Sequence, residues 1–148
     1  MLDLLAHGLG AHDAALASVR IGAGVFFAIS GGNKLFVASR HASLRDNLER
    51  NRIPFLKFME WWVPFWEFVA GLMLAIGLLT AFSAAVLLII CLVACHCEAR
   101  EKVAKYQPIN RFDTVADYLY LPEVLFVLML LVNILAGAGA YSLDSFLF

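Results

Sequence analysis

FMEWWVPFWEFVAGLMLAIGLLTAFSAAVLLIICLVACH, residues Phe58 to His96, is an apolar run in which Glu60 and Glu67 are the only acidic or basic residues apart from the closing histidine. At the rise of an α-helix it would extend about 58 Å, nearly twice the thickness of a bilayer's hydrocarbon core. The run must therefore cross, turn and cross back. Its best turn is Gly77–Ser83 (GLLTAFS), where a glycine, a threonine and a serine interrupt the apolar pattern.

Two further apolar stretches flank this hairpin. The first runs from Ala14 to Val37 and contains Arg20, Gly31, Gly32 and Lys34; the last begins at Pro122, where a proline costs a helix little, and continues to about Ala140. Polar segments separate them, from Ala38 to Lys57 and from Cys97 to Tyr120. The pattern predicts an all-α, integral membrane four-helix bundle in a single transmembrane domain over residues 1–148. Its spans are expected at approximately 15–37, 59–79, 81–97 and 121–140. Such long runs without period-2 alternation do not read as barrel strands. Leu2–Leu9 is expected to be a short interfacial helix before the first span.

Composition agrees. The chain is 62% hydrophobic and 16% charged, with mean hydropathy +0.81, against about 45–50% and about 25% for soluble domains. In 148 residues this surplus has to face lipid, so the bilayer is the first expected partner. A net charge of −1 offers no basic face for nucleic acid. The opening residues lack a basic n-region and carry Asp3 and Asp13, so they do not read as a signal peptide and the first span is expected to stay attached.

Basic residues set an orientation. Arg40, Arg45, Arg50, Arg52 and Lys57 fall in the first polar segment, and Arg100, Lys102, Lys105 and Arg111 in the second. An up-down bundle puts both segments on one side, and the positive-inside rule makes that side cytoplasmic, with both termini outward. Trp61, Trp62 and Trp66, together with Tyr118 and Tyr120, mark the same border and read as interfacial anchors.

Ionisable residues inside spans need a partner or a purpose. Lys34 and Glu67 are expected at the same depth near the basic side, and a buried pair between them is the simplest arrangement. Glu60, one heptad before Glu67, shares its helix face but should be solvated. Arg20 lies towards the opposite side, where Asp144 returns, and an Arg20–Asp144 structural ion pair is expected. Asn133, in the middle of the last span, is expected to hydrogen-bond across helices.

Cys91, Cys95 and Cys97 crowd the end of the third span with His96. Cys91 and Cys95, four apart on a helix, do not readily form a disulfide, and no C-x-x-C is present. No metal site is expected, the weak alternative being a centre on Cys91, Cys95 and His96, since thiolate and imidazole suit zinc or copper(I). His41 and His96 share the basic side, whereas His7 and His12 lie on the other. No nucleophile triad, phosphate loop or zincin motif occurs. The glycines of GAGVFFAISGG read as helix-packing notches.

The chain resembles the DoxX/DoxD-like family of small bacterial membrane proteins. The resemblance rests on R-x-G-x-G-x-F-F-x-x-S-G-x-x-K at Arg20 to Lys34, on E-F-V-A-G-L-M-L-x-x-G-L-L-T at Glu67 to Thr80, on His96, and on G-A-G-x-Y-S-L-D at Gly137 to Asp144. It implies a four-helix protein of the bacterial inner (cytoplasmic) membrane, similar to the small subunit of a thiosulfate:quinone oxidoreductase or to members linked with redox complexes. Carried across residue by residue, it points to Arg20, Lys34, Glu67, His96 and Asp144. The chain departs from the family's pattern in its longer, more charged first polar segment and in Ala81, where an arginine often follows G-L-x-T and would favour the opposite orientation.

The function expected is that of an inner-membrane subunit of a redox-linked complex of the DoxX type, contacting quinone, with a partner redox protein or subunit supplying electrons. Lys34, Glu67 and His96 are the candidate catalytic residues, since a quinone carbonyl needs a hydrogen-bond donor and a proton source. No cofactor is certain from the residues, and quinone is the one in view. The alternative is a non-catalytic membrane scaffold or assembly factor that docks a partner protein. Transport finds little support, because paired broken helices and repeated halves are absent.

Overall fold

The computed structural model describes residues 11–106 and 121–147, with the backbone alone for 98–106. Leu2–Leu9, His7, Tyr118, Tyr120 and the basic side chains of the second polar segment lie outside the described residues. Within the described residues six helices follow in order: α1 (His12–Phe36), α2 (Ala38–Arg50), α3 (Leu56–Ile76), α4 (Thr80–Tyr106), α5 (Pro122–Ala136) and α6 (Asp144–Leu147). Helices α1, α3 and the Thr80–Cys97 part of α4 are long and apolar enough to cross a membrane, and α5 is a shorter apolar helix. There is no strand among the described residues. The protein is an all-α, multi-pass membrane bundle.

Helices α1 and α3 pack backbone to backbone. The buried positions of α1 include Ala17, Arg20, Gly24, Ala28 and Gly31, and those of α3 include Glu60, Pro64, Glu67, Gly71 and Leu74. Both sets recur every three or four residues, the period of one helix face. A Cβ added to Gly24 would lie 2.5 Å from Ala75 N, and one added to Gly71 would lie 2.5 Å from Ala28 N. In lipid, where apolar side chains gain little by leaving their surroundings, such close approach through small residues is what drives helices together. Ala23, Phe27, Ala70, Leu74, Ala84, Leu87, Cys91 and Leu130 form the core where α4 and α5 close on this pair.

The turns differ from the sequence expectation in informative ways. Helix α3 ends at Gly77, whose φ of +73° is left-handed. Gly77 N donates to Leu74 O at 3.1 Å and Leu78 N to Met73 O at 2.9 Å, the paired bonds of a Schellman cap. Only Gly77–Leu79 turn, and Thr80–Ser83, expected in the turn, form the first turn of α4. Helix α5 stops at Ala136 rather than near Ala140, because Gly137 takes φ +76°. The segment Ala38–Arg50, read as polar connection, is a helix set off from α1 by one extended residue, Val37 (φ −108°, ψ 109°).

Candidate functional site at the basic end

Lys34 stands in the last turn of α1 and Glu67 in the middle of α3, beside the contact made by Gly31. Because the backbones meet there, the lysine stem spans the remaining gap. Its Nζ donates to Glu67 Oε2 at 2.7 Å and to Oε1 at 2.9 Å. Glu67 is 2% exposed, while the Lys34 side chain keeps 31% of its surface. The carboxylate is thus the buried partner, with the ammonium reaching in from the rim.

Helix α2 closes over this rim. His41 Nδ1 lies 3.0 Å from the Lys34 carbonyl oxygen; since a carbonyl only accepts, Nδ1 carries the proton. The imidazole also packs on Trp61, centroid to centroid 4.4 Å. Arg45 Nη1 lies 3.6 Å from Glu60 Oε2. Glu60, expected to be solvated, is therefore buried, because α2 covers it. Pro64, one turn further along α3, has no N–H to donate to the Glu60 carbonyl. Pairing with α2 was the signal missed in the sequence: His41 and Arg45 are four apart and so share a helix face.

His96 is not brought into this cluster. It is exposed on α4 and makes no hydrogen bond or ion pair among the described residues. It lies five residues past Cys91, about 140° round the helix from the Ala84–Leu87–Cys91 seam. Cys91 is buried, and its Sγ donates to Glu123 O at 3.4 Å. The metal alternative on Cys91, Cys95 and His96 is not assembled, and no group of three such ligands occurs among the described residues. Asn133 turns back on its own helix, donating to Met129 O at 2.7 Å rather than bridging helices.

Arg20 and Asp144 come to the opposite end, where they act through the tail. Arg20 is 2% exposed. Its guanidinium donates to Ala138 O at 2.6 Å and to Tyr141 O. Asp144 accepts from Leu79 N at 2.7 Å and Thr80 N at 2.8 Å, capping α4 from outside its own strand of chain. Among the described residues the two side chains form no ion pair within 4 Å. The expected contact is replaced by a loop held from both sides, because free backbone groups at the α4 start and the tail take up each charge. A Cβ at Gly77 would lie 2.5 Å from Arg20 Nη1, so glycine is required there for space as well as for φ.

Burial disfavours ionisation of Asp144, but the bonds from Thr80 and Leu79 and the nearby Arg20 outweigh it and hold its carboxyl below the usual carboxylate range. A carboxyl depressed on folding adds stability above its unfolded pKa and loses it as acid protonates the folded form. Stability should therefore fall as pH drops below about 4. Asp144→Asn should cost about 1 kcal/mol at neutral pH and flatten that acid limb, as thermal unfolding in detergent at several pH values would measure. An unchanged acid limb in the variant would remove Asp144 from this role.

A family model for DoxX matches residues 15–97, which takes in α1, α2, α3 and the membrane part of α4, including Arg20, Lys34, Glu67 and His96. No curated protein and no solved structure matches the chain. With the match covering more than half of its residues, and with an all-α membrane bundle observed, the chain belongs to the DoxX family.

Proposed function

We propose that this chain is the membrane subunit of a redox-linked complex in the bacterial inner membrane, and that a quinone reaches it from the bilayer beside Lys34. One juxtaposition supports the reading. The Lys34–Glu67 pair borders an open groove of about 300 Å3 lined by Phe26, Ile29, Ser30, Asn33, Lys34 and Arg40. An ammonium has three N–H donors; two engage Glu67, and the third is left for a ligand. The groove's composition fits a quinone head: Phe26 and Ile29 suit the ring, while Lys34 and Asn33 can donate to carbonyl oxygens. The buried Glu67 behind Lys34 provides a proton-exchanging group. Electrons come from a partner redox protein. The positive-inside rule places this end in the cytoplasm and the termini outside.

The test is the lipid extract and the co-eluting proteins of the gently purified chain. Roughly equimolar quinone is expected, and the paired change Lys34→Met/Glu67→Met, which leaves no stranded charge, should remove most of it while a partner protein stays bound. Quinone at bilayer background, with a partner protein at stoichiometric level, would replace this reading with that of a non-catalytic scaffold or assembly factor.

A further inference from the structure

A second groove lies on another face of the basic end. Leu35 of α1 and Lys57, Phe58, Trp61, Trp62 and Phe65 of α3 line an open groove of about 300 Å3. The four aromatic side chains are each about half exposed, and at positions 58, 61, 62 and 65 they follow one helical stripe. Phe58 stacks on Trp62, centroids 5.0 Å apart. Lys57 sits above it, exposed, with no hydrogen bond or ion pair among the described residues. Its place in the first turn of α3, which holds no acidic residue, is one where the helix dipole disfavours a cation.

We propose that this groove binds one anionic phospholipid from the leaflet at the basic end. Its phosphate lies on Lys57, and one acyl chain runs down the aromatic stripe towards Phe65. From Lys57 to Phe65 the helix descends about 12 Å, a length that part of an acyl chain can follow. Charge complementarity selects the occupant: a lone cation at headgroup depth above an otherwise apolar wall matches a phosphodiester joined to a hydrocarbon tail. Indole rings at this level suit the ester region between the two. This site is separate from the groove beside Lys34 and stands whether or not quinone binds there.

The full chain should be reconstituted into nanodiscs of phosphatidylglycerol and phosphatidylcholine in equal amounts with identical acyl chains, then released for native mass spectrometry. The wild type is expected to retain phosphatidylglycerol over phosphatidylcholine by about fivefold, the effect of one surface lysine near a charged headgroup. Lys57→Gln should bring retention to parity, Lys57→Arg should keep the preference, and Arg52→Gln, a cation exposed at the same end, should leave it unchanged. Parity in the wild type would overturn the proposal. So would a preference surviving Lys57→Gln, or an equal loss in Lys57→Gln and Arg52→Gln, which would mark a diffuse surface effect.

Discussion

Lys34→Met should destabilise the bundle by about 3–5 kcal/mol, the usual cost of stranding one member of a buried ion pair. The asymmetry of burial sets the direction. Glu67 is 2% exposed and, once the ammonium is gone, its carboxyl must either protonate or stay charged with no partner. The reverse change is milder, because the partly exposed Lys34 side chain can move its head towards water. Lys34→Met/Glu67→Met together should recover most of the loss, since two apolar side chains of similar volume replace a buried pair at little cost. Thermal unfolding of the four proteins in one mild detergent forms the double-mutant cycle. If the double variant were as unstable as Lys34→Met alone, a stranded carboxylate would not be the source of the damage.

The second large effect comes from one substitution placed at two glycines, with opposite signs. Gly71→Ala should cost about 3 kcal/mol or more, at the upper end of overpacking effects. Its new methyl would meet Ala28 N at 2.5 Å and Gly24 O at 2.9 Å, and backbone atoms cannot rotate away. The helices would have to separate along the whole α1–α3 seam, pulling Lys34 from Glu67. Gly22→Ala, on the exposed side of α1, meets only the tip of Met129 at 3.9 Å. It should stabilise by about 0.5–1 kcal/mol through helix propensity alone. Melting temperatures of the two variants in the same micelle decide it, and a neutral Gly71→Ala would show that the seam yields more than its contacts indicate.

What was legible in the sequence was what hydropathy and charge scarcity encode. A run such as Phe58–His96 has few places to go, and a charge within a span stands out because it is expensive there. That logic singled out Lys34, Glu67 and Arg20, and equal depth was enough to pair Lys34 with Glu67, as observed. It reached less far where the answer lay in backbone groups. Arg20 and Asp144 carry opposite charges at one end, and from sequence alone a direct pair is the natural expectation. Their actual partners, the carbonyls of Ala138 and Tyr141 and the amides of Leu79 and Thr80, have no signature in residue type. Helix α2 was hidden for a related reason. Its thirteen residues are mostly polar and bury only Leu48, so no apolar stripe announces a helix. Contacts with its neighbours, Arg45 to Glu60 and His41 to Trp61, give it its place. His96 misled because a histidine among cysteines looks purposeful, while its direction depends on a helical phase that α4's nearly uniform apolar sequence does not reveal.

The loop held by Arg20 and Asp144 bears on the order in which the protein is made. Arg20 enters the bilayer with α1, whereas the carbonyls that receive it belong to residues 138 and 141, and the carboxylate capping α4 belongs to residue 144. Until those residues leave the ribosome, the nascent chain carries an arginine whose final ligands do not yet exist, a state that hydrocarbon penalises by about 2.5–3.5 kcal/mol. Any chain interrupted before Gly137 keeps that penalty for good. The tail is thus what completes the first span: its carbonyls at residues 138 and 141 are the partners the Arg20 guanidinium waits for.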